Sequence, residues 1–288
     1  MSPDILRYAA FTDGSVGGNP AGVVLDAGGM VEAEMLAIAG AIGYSETAFA
    51  FPQEDGSLRL RFFSPLAEVA FCGHATIATA IAITESHGPG PLRFDSPAGL
   101  VEVATQRHDG ELWATLTSPP ASSRPATENE LGETLDAFGW QRDVLDDRYP
   151  AHVGFAGNHH MIVGLRDRAT LSDFDYDYDS LAASMSHHQW TTVHVFAARS
   201  GSEFDVRNAF PPGGVREDPA TGAAAAAFGG YLRTIGSPVN LEVVLRQGQD
   251  MGSPSRLLVS IVPGSESVRV SGTARVISAG ADDRVGGR

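Results

Sequence analysis

Three short stretches hold residues able to do chemistry. EVAFCGHATIATA (68–80) contains the only cysteine of the chain, Cys72, followed by Gly73, His74 and a run of small apolar residues. A thiol two residues from an imidazole is a nucleophile with its base, half of a metal site, or a tight turn into a buried helix. GYSETAFAF (43–51) places Glu46 in a polar turn, among the apolar neighbours Tyr44, Ala48, Phe49 and Phe51. A turn glutamate is ordinarily a solvated surface charge, but partial burial there would raise its pKa and fit it for acid and base work near neutral pH. VREDPATGAAAA (215–226) puts Asp218 ahead of Pro219 at the mouth of a second small-residue run. Aspartate is a favoured N-cap and proline a favoured first helical residue, so the helix is expected to start there. The plain alternatives are that Asp218 is only a cap and that Cys72 is only a small residue packed at its helix mouth.

Composition removes several enzyme classes. All 20 basic residues are arginine, so no lysine exists for a Schiff base or for a P-loop. The net charge of −15 argues against nucleic acid and anionic membranes as partners. A single cysteine forms no internal disulfide, which suits a cytoplasmic location, and no stretch reads as a signal peptide or a membrane span. No metal is assigned. HExxH is absent, DFDYDYD (173–179) has Tyr178 and Ser184 where a calcium loop needs glycine and glutamate, and the adjacent pairs His159-His160 and His187-His188 should point to opposite sides of a strand. GSVGGNP (14–20) lacks the spacing and setting of a dinucleotide fingerprint.

The elements that must position these residues read as α+β. Strand alternation or composition marks 58–63, 100–105, 111–118, 191–198, 203–210 and 267–273, and helical periodicity marks 31–43 and 127–139. Thr127 and Glu130 form a capping-box pattern, and SPPASSRPATE (118–128) reads as a linker. The runs 75–84 and 220–232 carry no charge on any face, so each is expected as the buried central helix of its own strand-built domain. The halves also align. Phe63 falls on Phe210, Cys72 on Pro219 and His74 on Thr221 at one spacing, while GNPAGVVL (18–25) matches GNHHMIVG (157–164), a pattern that duplication explains. In such a pair the site is expected in the cleft between halves, with two helix N-termini holding a carboxylate without a basic side chain.

Taken together, FTDGSVGGNPAGVV (11–24), GYSETAFAF, FFSPLAEVAFCGHATIATA (62–80) and VREDPATGAAAA resemble the PhzF-like (phenazine biosynthesis) family of the diaminopimelate-epimerase-like fold, in order and over nearly the whole chain. That resemblance implies two pseudo-symmetric lobes, each an antiparallel sheet or barrel wrapped around a central buried helix, and a homodimer. The lobes would be 1–118, joined by the C-terminal segment of about 274–288, and 119–273. It also implies an isomerase without metal or cofactor, acting on a small anionic substrate like dihydro-hydroxyanthranilate. Glu46 matches the general acid/base. His74 and Asp218 match residues that orient the substrate's polar groups. Gly73 and His74, with Gly222 and Ala223, match backbone donors to its carboxylate, and Asn19 matches an asparagine near the pocket. Two departures stand out: Ala223 replaces a serine, and Cys72 has no second cysteine opposite, which excludes a two-thiol epimerase. A non-catalytic binding protein of the same fold, and a racemase using Cys72 and Glu46 on opposite faces, are the alternatives to an isomerase.

Overall fold

Apolar–polar alternation builds strands such as 58–63 and 267–273 in the computed structural model, which describes residues 3–236 and 242–278, while others, such as 159–165, are buried almost throughout. The chain forms a mixed α/β fold and divides into two compact units, one running to Thr117 and resuming at Ser271, the other Ser118–Val270. Of the C-terminal segment expected to join the first unit, 279–288 lie outside the described residues.

The first unit contains β1 (Leu6–Ala10), β2 (Asn19–Val24), α1 (Glu32–Ile42), β3 (Glu46–Pro52), β4 (Leu58–Phe63), β5 (Glu68–Val69), α2 (Gly73–His87), β6 (Pro91–Ser96), β7 (Gly99–His108) and most of β8 (Glu111–Pro120). β1 pairs antiparallel with β2 and, on its other side, with residues 274–276. β2–β3 and β4–β6 are parallel, whereas β3–β4, β6–β7 and β7–β8 are antiparallel. α2 packs on β1, β2, β3 and β7, and every residue from Gly73 to Ala82 is buried. Its threonine hydroxyls are satisfied internally: Thr76, Thr79 and Thr84 each donate to the carbonyl four residues back at 2.7 Å.

The second unit contains β9 (Ser122–Pro125), α3 (Glu128–Phe138), β10 (His152–Phe155), β11 (His159–Leu165), α4 (Arg168–Ser172), α5 (Tyr178–His188), β12 (Trp190–Ser200), β13 (Glu203–Ala209), β14 (Glu217–Asp218), α6 (Gly222–Thr234), β15 (Glu242–Gln247), β16 (Ser255–Ile261) and the start of β17 (Ser267–Val276). β10–β11, β12–β13 and β15–β16 are antiparallel, and β11–β12 and β13–β15 are parallel. α6 packs on β9, β10, β11 and β16. Its glycines allow close approach, since a Cβ on Gly229 would lie 2.8 Å from Val268 Cγ1 and one on Gly230 2.9 Å from Ala121 Cβ. Phe228 fills the remaining space against Phe196 and Phe204, with ring centroids 4.8 and 5.0 Å away.

Several expectations change. The sheets are mixed rather than antiparallel, because helices connect β2 to β3 and β4 to β6, and such crossovers deliver the next strand in parallel. The segment 118–128 is no loose linker: β9 within it pairs with β10. The acidic run 173–179 ends as a helix start, with Asp177 accepting from Ser180 N at 2.8 Å. His187 and His188 lie on α5 rather than on a strand, whereas His159 and His160 on β11 divide as expected, one exposed and one buried.

The overlay of the halves also moves. Phe63 faces Thr47 as Ala209 faces Val193, and Glu68 pairs with Phe63 as Glu217 pairs with Ala209. Phe63 therefore answers to Ala209, not Phe210. The second unit then has the longer turn, with a 3-10 segment at Pro211–Gly213, and Cys72 answers to Thr221 as the residue before the helix. An Arg–Glu pair recurs at matching places, Arg61–Glu68 at 2.6 Å and Arg207–Glu217 at 2.5 Å, each joining a long strand to its two-residue neighbour.

Candidate active site

The first unit gathers five of the sequence-derived residues. α1 ends at Gly43, whose φ of 73° turns the chain towards β3, and Glu46 opens that strand. The parallel register sets Glu46 opposite Ala21, two residues beyond Asn19 at the start of β2. β5 then leads into α2, with Cys72 at the N-cap position and Gly73 first in the helix. The Glu46 side chain is 13% exposed and its Oε2 lies 3.5 Å from His74 Nε2. The Cys72 thiol donates to the same oxygen at 3.6 Å and lies 3.3 Å from His74 Nδ1. Asn19 Nδ2 is 3.2 Å from His74 Nδ1, and Ser45 Oγ is 3.4 Å from Nε2.

Burial is the main influence on His74 and lowers its pKa; the Glu46 charge and a hydrogen bond to the Pro20 carbonyl oppose it. His74 is thus a neutral imidazole at neutral pH, a hydrogen-bonding group beside the carboxylate rather than a cation. The thiol–carboxylate contact fixes a further point. With 3.6 Å between sulfur and oxygen, no substrate carbon fits between Cys72 and Glu46, so the two do not flank one from opposite faces.

The second unit holds Asp218, Gly222 and Ala223. The helix was expected to start at Pro219, but α6 begins at Gly222 with Thr221 in the N-cap position. The reason is backbone pairing: Asp218 sits on β14 opposite Asn208, and its carbonyl accepts from Gln247 Nε2 at 2.6 Å. Its carboxylate accepts instead from the Thr221 hydroxyl, also at 2.6 Å. Gln247 completes the turn by accepting from Thr221 N at 3.1 Å. Both helices leave first-turn amides without partners inside the helix, and neither N-cap side chain bonds to them.

Ser45 and Gln247 escaped sequence reasoning. Ser45 adjoins Glu46, so only its contact reveals it. Gln247 closes a strand before Gly248 and is buried, a polar residue at the end of an apolar alternation that could have marked it. Motif scanning likewise finds no metal ligands, yet donor atoms of Glu46, Cys72 and His74 lie within 4.8 Å of one another.

Known proteins match this chain along its length. The family model described as "Phenazine biosynthesis-like protein" matches residues 8–280. A Pseudomonas aeruginosa protein named trans-2,3-dihydro-3-hydroxyanthranilate isomerase is 31% identical over 281 residues, 94% of this chain and 96% of its own. A Bacillus subtilis protein named as an uncharacterized isomerase, YfhB, is 30% identical over 284 residues, 94% of this chain and 95% of its own. The crystal structure of a Bacillus anthracis phenazine biosynthesis protein of the PhzF family superposes with a TM-score of 0.85 at 26% identity, covering 96% of this chain and 98% of that one. An Agrobacterium vitis hydroxyproline epimerase shares the fold at a TM-score of 0.63 and 14% identity, covering 95% of this chain and 90% of its own.

Proposed function

We propose, from the premise that the chain belongs to the phenazine biosynthesis-like (PhzC-PhzF) family and is an isomerase, that it moves a proton between two carbons of a small carboxylate-bearing substrate. The substrate class is dihydro-hydroxyanthranilate-like, after the relative named for that isomerisation. Glu46 is the shuttling group. As carboxylate it removes the proton from one carbon, and as carboxylic acid it returns that proton to the other, so no external acid or redox partner is consumed. Neutral His74, held by Asn19 and Ser45, orients the substrate's polar substituent, and Asp218, aligned by Thr221, accepts from its amino or hydroxyl group. Amides of Gly73, His74, Gly222 and Ala223 hold the carboxylate, an arrangement that suits an acidic chain because it uses no basic side chain. The same reading takes the units as products of duplication, each sheet wrapped around its central helix, and the enzyme as a cytoplasmic homodimer acting without cofactor.

The observation that carries this proposal is a largely buried Glu46 carboxylate within 3.5 Å of a neutral imidazole. The test is deuterium uptake from D2O into dihydro-hydroxyanthranilate-like substrates, followed by NMR. Glu46→Gln should slow uptake by about 10²–10⁴-fold, the usual contribution of a positioned general base; unchanged uptake would remove Glu46 from the mechanism. The binding-protein alternative rests on Ala223, which offers no hydroxyl. Tight ligand binding with no exchange in the wild type would favour it.

A further inference from the structure

We infer that Tyr176 and Tyr178, in the acidic run 173–179, are positioning residues for Asp218, on which they act through the turn Phe210–Arg216. The inference rests on the reading that Asp218 binds the substrate's amino or hydroxyl group. The turn leads from β13 into β14, a strand of two residues, and Asp218 is the second of them. So short a ladder fixes little by itself. The turn before it is long and contains Gly213 and Gly214, the latter with φ of 77°. Glycines enlarge the unfolded ensemble, so such a turn is costly to order and needs outside contacts to hold one conformation. The first unit's counterpart is shorter and closes on itself, with Ser64 N and Oγ both donating to the Ala67 carbonyl at 2.9 and 3.0 Å.

The acidic run supplies those contacts. The Tyr178 hydroxyl donates to the Pro211 carbonyl at 3.2 Å, near the start of the turn, and the Tyr176 hydroxyl donates to the Arg216 carbonyl at its end. Each carbonyl also accepts a bond of the turn itself, from Gly214 N at 2.8 Å and from Phe210 N at 3.1 Å. The hydroxyls therefore lock the two carbonyls around which the turn is built. Arg216 grips the run in return: its guanidinium lies 4.6 Å from the Tyr176 ring centroid and donates to the Tyr176 carbonyl at 2.7 Å. The run is itself fixed to α3, because Asp177 N donates to the Ala137 carbonyl at 2.8 Å and the Phe138 ring packs 5.2 Å from that of Tyr176. Tyr176 is buried, so its hydroxyl bond is shielded from water. The end of a packed helix thus holds the turn up to Arg216, two residues ahead of Asp218. The Asp175–Arg216 ion pair lies on the surface, with Asp175 87% exposed, and contributes little.

Isothermal titration calorimetry of the full chain with two probes, 3-hydroxyanthranilate and benzoate, tests this role. Both probes carry a carboxylate and only the first adds an amino and a hydroxyl group, so the ratio of their affinities reports contact to those groups. Tyr176→Phe combined with Tyr178→Phe removes both hydroxyls and keeps the rings, with circular dichroism confirming the fold. It should cut the ratio about tenfold, the size of one or two lost hydrogen bonds, and leave benzoate affinity within about twofold. Tyr178→Phe alone, the milder change, should cut the ratio about threefold and decides the matter if the double variant is unfolded. Asp218→Asn should cut the ratio at least as far as the double variant, and Asp175→Asn should leave it unchanged. An unchanged ratio in the folded tyrosine variants, or equal weakening of both probes, would overturn the positioning role. If Asp218→Asn lowers the ratio while the tyrosine variants do not, the reading of Asp218 stands and the inference fails. If Asp218→Asn leaves the ratio unchanged as well, both fall.

Discussion

At the scale of single residues, Glu46 and Cys72 touch but differ in their expected roles. The carboxylate has an imidazole and a thiol within hydrogen-bonding range, while the thiol spends its proton on the carboxylate and has no second thiol to work with. Cys72→Ala should therefore retain activity within about tenfold of wild type, far from the loss expected for Glu46→Gln. Initial rates of deuterium uptake compare the two directly, and a Cys72→Ala loss as deep as that of Glu46→Gln would restore the thiol as a catalytic group. The family resemblance implies a place at the pocket for His74 and Asn19 but not their pairing: 55 positions separate them, and only the approach of β2 to the mouth of α2 brings them to 3.2 Å.

At the scale of elements, the mouth of α6 depends on how β14 and the end of β15 are held. Gly248 follows β15 with φ of 78°, and a Cβ there would lie 2.2 Å from the Ser253 carbonyl oxygen and 2.8 Å from that of Pro219. Gly248→Ala should destabilise the protein by about 1–3 kcal/mol and disturb the Asp218–Thr221 turn, measured as a lower urea midpoint together with weaker substrate binding. The Arg207–Glu217 pair anchors β14 to β13, with both side chains almost fully buried. Arg207→Leu leaves a buried carboxylate unpaired and should cost about 3–5 kcal/mol in urea unfolding, whereas adding Glu217→Gln should recover part of it. Full stability in Arg207→Leu would show that the pair does not hold the strand.

At the scale of the molecule, the second unit carries a buried polar network on β11, β12 and β13. His160 bonds Thr192 at 2.8 Å, Thr192 donates to Asn208 at 3.1 Å, and His194 Nδ1 lies 3.1 Å from the same Asn208 oxygen. Burial depresses both histidines, His160 to about 3 and His194 to about 4, so both are neutral in the native state. Unfolded histidine titrates near 6.5, so the unfolded chain binds these protons first as pH falls. Stability is accordingly complete above about pH 6.5 and should decline from there towards pH 4, by an amount on the order of a few kcal/mol. Burial lowers His74 and His152 as well, which adds to the same trend. Urea midpoints measured across this range should fall with acidification before most carboxylates titrate, and the double change His160→Gln, His194→Gln should flatten the slope. A slope unaffected by that change would place the acid sensitivity elsewhere.

The sequence by itself determined the α+β composition, both uncharged helices, six of the strands and the exclusion of lysine chemistry. These follow from side-chain periodicity and residue type, which are local properties. Tertiary structure decided what depends on pairing between distant segments. Crossover helices made the sheets mixed, and a ladder bond to β13 together with the Gln247 side chain moved the start of α6 from Pro219 to Gly222. A longer turn made Thr221, not Pro219, the counterpart of Cys72. The gathering of Glu46, Cys72 and His74 into one triangle belongs to the same class. Their types were visible in the sequence, but the distances that give them a shared chemistry arise only where β3 meets the beginning of α2.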